Sequence, residues 1–291
     1  MANLKAIRRR IGSVQNTQKI TRAMKMVAAA KLRRAQDAVT SFRAYAELTQ
    51  SILGEVSKAA GETTHPLLER RPENRALMLV LTSDRGLCGA FNSGLLREVM
   101  RHIHAAEVKP TLDLIGKKGR DFFAHRDAAV RTFHPNIYDD MGYDTAKHLA
   151  AELSTLYATG EVDRIDLAYN EFVSVVKQAP VIRPLLPIVL AKGETEVEED
   201  KTVGPRGFLF EPDRESLLAT LLPKYVEVQI YRSLVESVAA EHASRMTAME
   251  SATTAAGDMI DSLTLQYNRA RQDAITKELM DIVGGSEALS E

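Results

Sequence analysis

The first sixty residues carry apolar or small side chains at alternating steps of three and four. This spacing is typical of the seam of a coiled coil. We therefore predict a helix over residues 1–60, ended by Gly61 and the His65–Pro66 pair. The seam positions are Leu4, Ile7, Ile11, Val14, Gln18, Thr21, Met24 and Ala28, followed with broader coverage by Leu32, Ala35, Val39, Phe42, Ala46, Ile52 and Val56.

Residues 213–285 show the same periodicity, and only Pro223 interrupts them. We predict a second helix here, ended by Gly284–Gly285. At ~1.5 Å per residue the two helices would be roughly 80 and 100 Å long, too long for a small domain to bury. Antiparallel pairing of the two chain ends is the simplest topology. The second seam is Leu221, Tyr225, Val228, Tyr231, Val235, Val238, His242, Met246, Met249, Ala252, Ala256, Ile260, Leu263, Tyr267, Ala270 and Ala274.

The middle of the chain, residues 74–191, alternates short apolar runs with helical patterns. This alternation predicts an α/β domain with a largely parallel sheet. The predicted fold class is therefore α/β, a long antiparallel coiled coil of the terminal helices plus a central Rossmann-like domain, with a loop segment at residues 192–212. The predicted strands are Arg75–Ser83, Thr111–Ile115, Ala129–Phe133, Arg164–Val175 and Ile182–Leu190, and the predicted helices are Ala90–Ala106, Lys117–His125 and Asp144–Tyr157.

The two ends of the chain carry opposite net charges, which supports the pairing of the two predicted helices. The formal net charge of the chain is only −1. Residues 1–60 hold 12 basic and 3 acidic side chains, a net of +9, whereas residues 213–291 hold 7 and 13, a net of −6. Opposite charge is what pairing helices use to fix partner and orientation.

Targeting signals and cysteine content bear on the cellular compartment of the chain. No run of 18 apolar residues occurs, which excludes a membrane-spanning helix, and the basic start lacks the apolar core of a secretory signal. A transit peptide stays open on charge alone, but the basic stretch runs directly into the periodic helix, which favours a mature bacterial start. Cys88 is the only cysteine, which excludes an intrachain disulfide and fits a reducing compartment.

Candidate chemistry is sparse. The turn at residues 84–92 has two glycines but neither of the spacings that cradle phosphates, so we interpret it as structural. Cys88 lacks a histidine at a catalytic spacing and is expected to be a buried, inert thiol. His102 and His104 are two apart on a predicted helix and point different ways, unlike a metal-binding pair. We predict no catalytic residue, no metal site and no cofactor.

The basic first helix supports an alternative. Residues 1–34 contain ten Lys or Arg and no Asp or Glu, a composition that suits phosphate contacts. The chain could then be a coiled-coil adaptor with a nucleic-acid-binding arm. A nucleotide-binding α/β enzyme is a second alternative. Few aromatic residues interleave with the basic ones, however, and an acidic helix lies in the same chain, so we expect a protein partner and no nucleic acid.

Three stretches together carry a family resemblance. IGSVQNTQKITRAMKMVAAAKLRRAQ (Ile11–Gln36), TSDRGLCGAFN (Thr82–Asn92) and ASRMTAMESATTAAGDMIDSLTLQYNRARQDAITKELMDIVGG (Ala243–Gly285) resemble, in this order, the gamma subunit of bacterial F-type ATP synthases. The resemblance implies a rotor in the central stalk that couples rotation of the membrane c-ring to the catalytic beta subunits. It also implies that the chain itself is not catalytic.

The resemblance further implies specific contact residues. Met24 and Lys25 would face acidic lever loops of the beta subunits. Arg271, Gln272 and Thr276 also match family contact positions, and Arg271 and Gln272 would hydrogen-bond a catch loop. An apolar tip would turn in a bearing, and a foot at Phe208–Asp213 would rest on the c-ring beside the epsilon subunit. The tip residues are Ile275, Leu279, Ile282 and Val283, and the foot residues Phe208, Phe210 and Glu211.

The implied partners are the hexameric ring of alpha and beta subunits, the epsilon subunit and the c-ring. Membrane association would occur only through the complex, at the cytoplasmic face of the bacterial inner membrane. Chloroplast members carry a regulatory cysteine pair, which a chain with Cys88 alone lacks. The charged loop Glu194–Asp200 is given no role.

Overall fold

The computed structural model describes residues 2–60, 65–138, 141–189 and 214–287. Contacts divide the chain into two units. The helix-pair unit is built from Met1–Ala30 and Arg245–Glu291, and the sheet unit from Lys31–Ser244. The elements are α1 (Ala2–Ala60), β1 (Ala76–Leu81), α2 (Phe91–Ala105), β2 (Thr111–Ile115), α3 (Lys117–Phe123), β3 (Val130–His134), α4 (Tyr143–Ala158), β4 (Arg164–Phe172), β5 (Gln178–Leu186) and α5 (Arg214–Glu287).

The sheet unit contains five strands in the order β3-β2-β1-β4-β5. The first four are parallel, and β5 pairs antiparallel with β4 at the edge. The central strand β1 is buried on both faces, and Leu77 to Leu81 are fully inaccessible to solvent. A strand covered on both faces explains the continuous apolar run in the sequence. The predicted α/β domain with a largely parallel sheet is confirmed.

Alternate residues of β1 pack into two separate hydrophobic cores, because successive side chains of a strand point to opposite faces of the sheet. Met78 and Val80 pack with α2 and with Phe123 of α3. Leu77, Leu79 and Leu81 face α4 together with the parts of α1 and α5 that belong to this unit. The terminal helices are therefore part of the larger core of the sheet unit.

The helix-pair unit is antiparallel. Gln18 contacts Thr253, and Lys25, further along α1, contacts Glu250, which comes earlier in α5. As the number rises along α1, the number of its partner falls. Among the described residues of this unit, the buried ones all come from the predicted seams: Thr21, Ala28, Met249, Ala256 and Leu263. The predicted pairing of the two chain ends is confirmed.

Three details of the prediction are wrong. Ile52 is 39% exposed, while Thr49 and Leu53 are buried, because the step of three and four continues from Ala46 to Thr49, Leu53 and Val56 and passes over Ile52. Gly284–Gly285 do not end α5, which continues to Glu287. Strand β5 begins and ends four residues earlier than predicted. The predicted division at residues 1–60, 74–191, 192–212 and 213–285 stays a prediction.

Helix α5 contains Pro223 in its interior, a residue that normally kinks or ends a helix. The helix begins before this proline, at Arg214, and continues past it to Glu287. Among the described residues, no helix combines the length and apolar character that crossing a membrane requires.

Candidate functional site on the two long helices

The predicted contact residues of α1 are Met24, a seam position, and Lys25, which lies beside the seam. Met24 and Lys25 are both half-buried. Lys25 Nζ donates to Glu250 Oε1 of α5 at 2.6 Å. Both side chains of this ion pair stay partly exposed, at 37% and 56%. A partner carboxylate could therefore approach the ammonium group without breaking the helix pair.

Sequence reasoning missed large apolar side chains next to this position. Ile20, Met26 and Val27 are each more than half exposed. They fall off the seam steps, and an apolar residue off the seam was the signal that could have identified them. Their exposure makes this part of α1 a mixed apolar and basic surface, as protein interfaces often are.

Basic side chains cover the rest of the first half of α1. Of the ten Lys and Arg in residues 1–34, all except Lys25 are exposed to solvent. All of the exposed members lie off the seam, so the pairing of α1 with α5 leaves their charged groups accessible to solvent or to a partner. The exposed members are Lys5, Arg8, Arg9, Arg10, Lys19, Arg22, Lys31, Arg33 and Arg34.

The last turns of α5 form a second exposed surface. Arg271, Gln272 and Thr276 are exposed. The predicted apolar tip is also exposed, with values between 47% and 72%, and Met280 adds to it at 64%. Large apolar side chains clustered in water are unusual for a helix end unless another molecule covers them. The tip residues are Ile275, Leu279, Ile282 and Val283.

The predicted foot lies outside the described residues. Phe208, Phe210 and Glu211 fall there, as does the charged loop Glu194–Asp200. Their contacts stay predictions.

A polar layer interrupts the seam of the helix-pair unit. Thr253 Oγ1 contacts Thr21 Oγ1 at 2.8 Å, and the amide of Gln18 donates to the carbonyl of Thr253 at 3.4 Å. Gly257 lies beside this amide, where a Cβ atom would come within 3.2 Å of Gln18 Nε2. Polar groups in an apolar seam cost stability and favour one register.

The turn after β1, where a nucleotide would bind in many α/β domains, is filled by the protein itself. Thr82 Oγ1 donates to the carbonyl of Ile115 and accepts from the amide of Gly119. Gly116 approaches so closely that a Cβ atom there would lie 2.0 Å from the carbonyl oxygen of Thr82. Glycine is therefore required at this contact, which locks the β1 turn against the start of α3.

The same turn is tied to α5. Cys88 is buried, and its sulfur accepts from the Asn92 amide at 3.2 Å. The Cys88 carbonyl accepts from Ser244 Oγ of α5 at 2.7 Å. The expectation that Cys88 is buried is confirmed. The motif at Thr82–Asn92 therefore anchors α5 to the sheet within this unit.

One cluster of potential metal ligands occurs in the described ranges, formed by Asp113, His134 and Glu152. Arg131 already bridges its two carboxylates, since its guanidinium donates to Asp113 and, at 2.9 Å, to Glu152. Burial of Asp113 opposes its ionisation. The nearby His134 imidazole and Arg131 guanidinium outweigh that cost, so the pKa of Asp113 lies below its usual value. The cluster is best explained as an ion-pair network.

Comparison with known proteins gives consistent matches over nearly the whole chain. The family described as ATP synthase matches residues 3–289. The ATP synthase gamma chain of Anaeromyxobacter sp. (strain Fw109-5) is 48% identical over 296 residues, which cover 99% of this chain and all of the relative. The ATP synthase gamma chain of Heliobacterium modesticaldum is 45% identical over 290 residues, with 99% and 100% covered.

Solved structures of ATP synthases contain chains that are similar to this one. The central stalk and c-ring structure of the Tetrahymena thermophila mitochondrial ATP synthase contains a chain with a TM-score of 0.60 and 28% identity, covering 80% of this chain and 99% of that one. A chain of the Euglena gracilis mitochondrial ATP synthase, at 20% identity, shares the fold with a TM-score of 0.69, covering 99% and 95%. With its antiparallel terminal helices and central mixed sheet, the chain belongs to the gamma chain family of ATP synthases.

Proposed function

We propose that this chain is the central-stalk rotor subunit of a proton-translocating ATP synthase. Rotation of the membrane c-ring would turn the chain, which would change the conformation of each catalytic beta subunit in succession. The observation that carries the proposal is the antiparallel pair of α1 and α5, whose outer faces stay exposed on both helices. The family membership of the chain supports the same role.

The character of the exposed surfaces suits rotation. A rotor must not be trapped at any one angle, so each contact with the ring has to be modest. Exposed charge pairs contribute only ~0.2–1 kcal/mol each, and α1 presents such charges in number. The small residues of the seam, such as Ala28 and Ala256, let the two helices approach closely and keep the pair slender.

The contact residues follow from this proposal. Met24 and Lys25 would contact acidic loops of the beta subunits. The Lys25 ammonium group would then interact both with Glu250 and with a carboxylate of the partner loop. Arg271 and Gln272 would hydrogen-bond a second loop, and Thr276 would be a further contact position. The exposed tip of α5, formed by Ile275, Leu279, Ile282 and Val283, would turn in an apolar bearing of the alpha–beta ring.

Catalysis would reside on the beta subunits, and the chain would contribute no reacting group or cofactor. The self-filled turn at Thr82 and Gly116 supports this, since its hydrogen-bonding groups are used within the chain. Phe208, Phe210 and Glu211 would contact the c-ring beside the epsilon subunit. The chain would lie peripherally at the cytoplasmic face of the bacterial inner membrane.

Reconstitution tests the role directly. The chain is mixed with the alpha and beta subunits of its own complex, and the assembly is purified and assayed for ATP hydrolysis with and without the chain. We expect the chain to co-purify with the ring and to raise hydrolysis. A chain that neither incorporates nor changes hydrolysis would contradict the proposal.

Met24→Lys tests the contact surface. The substitution places a second ammonium group beside Lys25, facing the partner, so we expect ATP-driven proton pumping by the assembled complex to fall more than hydrolysis. Because Met24 is half-buried, unfolding of the variant chain is measured in parallel, and Met24→Leu serves as the volume-matched control. Normal pumping by the Met24→Lys complex would refute the assigned contact.

The exposed basic side chains of α1 favour one alternative, a coiled-coil adaptor that binds nucleic acid. Such binding would weaken steeply with salt. Strong, salt-dependent DNA affinity of the chain together with no incorporation into an alpha–beta ring would favour the adaptor over the rotor.

A further inference from the structure

A cavity of about 220 Å³ lies within the sheet unit between the β4–β5 edge and the helices. Each polar side chain that lines it carries at least one hydrogen-bond donor, and none of the described residues that line it is a carboxylate. Its floor is apolar. The lining residues are Gln50, Leu167, Tyr169, Arg183, Pro184, Leu185, Ile188, Val189, Tyr225, Gln229 and Arg232.

Regular structure brings these side chains together. Arg183 of β5 pairs directly with Leu167 of β4 in the antiparallel register, so both point to the same face of the sheet. Tyr225, Gln229 and Arg232 are spaced by four and three along α5, which places them on one face of that helix. The cavity is therefore built from rigid elements.

Arg183 and Arg232 each have N–H donors beyond the one used in the ion pair with a glutamate. Arg183 donates from Nη2 to Glu171 at 2.8 Å, and Arg232 donates from Nε to Glu236 Oε1 at 3.0 Å. A guanidinium group carries five N–H donors, and within the described part of the chain these two arginines show no further acceptor. Glu236 is shared, because Arg43 also donates to it. Arg43 does not itself line the cavity, but with it three guanidinium groups are paired with two carboxylates, Glu171 and Glu236, which leaves an excess of one positive charge next to the cavity.

Neutral donors complete the lining. Burial raises the pKa of Tyr169 to about 12 and also raises the pKa of Tyr225, so both phenols keep their protons at neutral pH. Tyr169 is only 3% exposed. The side-chain amides of Gln50 and Gln229 add further N–H groups.

We propose that this cavity binds a small phosphate-type oxyanion, either free phosphate or a compact phosphate ester. Guanidinium groups match the spacing of phosphate oxygens and bind them with two parallel hydrogen bonds. The cavity has room for one such anion and a few waters, with the two phenols as further donors. The apolar floor of Leu167, Leu185 and Ile188 would accommodate the carbon skeleton of an ester. The proposal does not depend on the rotor function.

The test is calorimetric titration of the full-length chain with inorganic phosphate, at constant ionic strength maintained with chloride. A second arm replaces phosphate by glycerol 3-phosphate, which separates the free anion from an ester. Arg183→Gln removes one lining arginine from an exposed edge position. Arg101→Gln is the matched control, since Arg101 is also an exposed arginine paired with a single glutamate, Glu98.

We expect saturable binding of at least one of the two ligands by the unaltered chain and by Arg101→Gln, and at least tenfold weaker binding by Arg183→Gln. Tyr225→Phe keeps the ring and removes one donor, so it should weaken binding several-fold and gives a second check should Arg183→Gln not fold. Absence of saturation with both ligands would overturn the proposal. An equal loss in Arg101→Gln would also overturn it, because the effect would then be one of overall charge.

Discussion

Among single residues, the buried carboxylates stand out because each has an arginine within hydrogen-bonding distance. A buried charge without a partner costs several kcal/mol, so these arginines are expected to matter more than exposed ones. No sequence pattern reveals such pairs when the partners are distant, since Glu236 lies 193 residues from Arg43. The pairs are Asp113–Arg131, Asp163–Arg75, Asp166–Arg164 and Glu236 with Arg43 and Arg232.

Arg131→Met should destabilise the chain by about 3–5 kcal/mol, because it leaves Asp113 buried and without its main counter-ion. The free energy of unfolding is measured with urea at pH 7. Arg101→Met is the control, and it should change stability by less than about 1 kcal/mol because the Arg101–Glu98 pair is exposed. Equal effects of the two substitutions would contradict this account.

Acid should remove the contribution of Asp113. Its pKa is lower in the folded chain than in the unfolded one, so its ionised form stabilises the fold above the unfolded pKa of about 3.9. This stabilisation is lost as the pH falls through the folded pKa. We expect the stability difference between the unaltered chain and Asp113→Asn to be constant near neutrality and to narrow below about pH 4. A stability difference that grows as the pH falls would contradict this prediction.

Among the elements, periodicity located the helices and strands well, and the errors have physical causes. Strand β5 contains Pro180 and Pro184, which argue against a strand in a single sequence. An edge strand tolerates them, because one side of it has no ladder to complete. Sequence could not show that β5 lies at the edge. Ile52 lies six residues after Ala46 and so falls off the three–four step, which continues through the buried Thr49 and Leu53; because Thr49 is polar, apolar character alone favours Ile52.

Two helical glycines should respond differently to alanine. No described atom lies within 4 Å of the Cβ position of Gly12, whereas at Gly257 the amide of Gln18 lies at 3.2 Å. Gly12→Ala should therefore stabilise the chain by about 1 kcal/mol through helix propensity alone. Gly257→Ala should gain less, because Gln18 must shift from its contact with Thr253. Urea unfolding of both variants checks the order, and a larger gain at Gly257 would contradict it.

For the whole molecule, the charge asymmetry of the two chain ends predicted their pairing before any contact was known. The Lys25–Glu250 ion pair is a direct instance. Sequence did not show which of the many basic residues would make it, because nine of the ten in residues 1–34 remain exposed. The predicted partner contacts depend on other subunits, so one chain cannot reveal them.

A charge swap separates the two roles of Lys25. Lys25→Glu alone should lower the stability of the chain by at most about 1 kcal/mol, since the pair is exposed. Adding Glu250→Lys should restore that stability, because the ion pair is rebuilt in reverse. Proton pumping by the reconstituted complex should stay impaired in the double variant, because an acidic partner loop would then meet a carboxylate in place of the Lys25 ammonium group.

Full recovery of pumping in the double variant would limit Lys25 to a role inside the chain. Glu250→Lys alone is the companion control, since it disturbs the pair and leaves Lys25 in place. Unfolding is followed at low and high salt, where the penalty of either single variant should shrink as screening increases.

The burial of Cys88, the only cysteine, has a practical consequence. Thiol-reactive dyes should leave the native protein unlabelled, so a cysteine introduced at an exposed site would carry the whole fluorescent signal. Arg271 or Lys19 could each be replaced to position one probe on a chosen helix, without first removing the natural thiol that holds the Asn92 amide. The angular motion of the chain could then be followed by single-molecule polarisation in an otherwise native background.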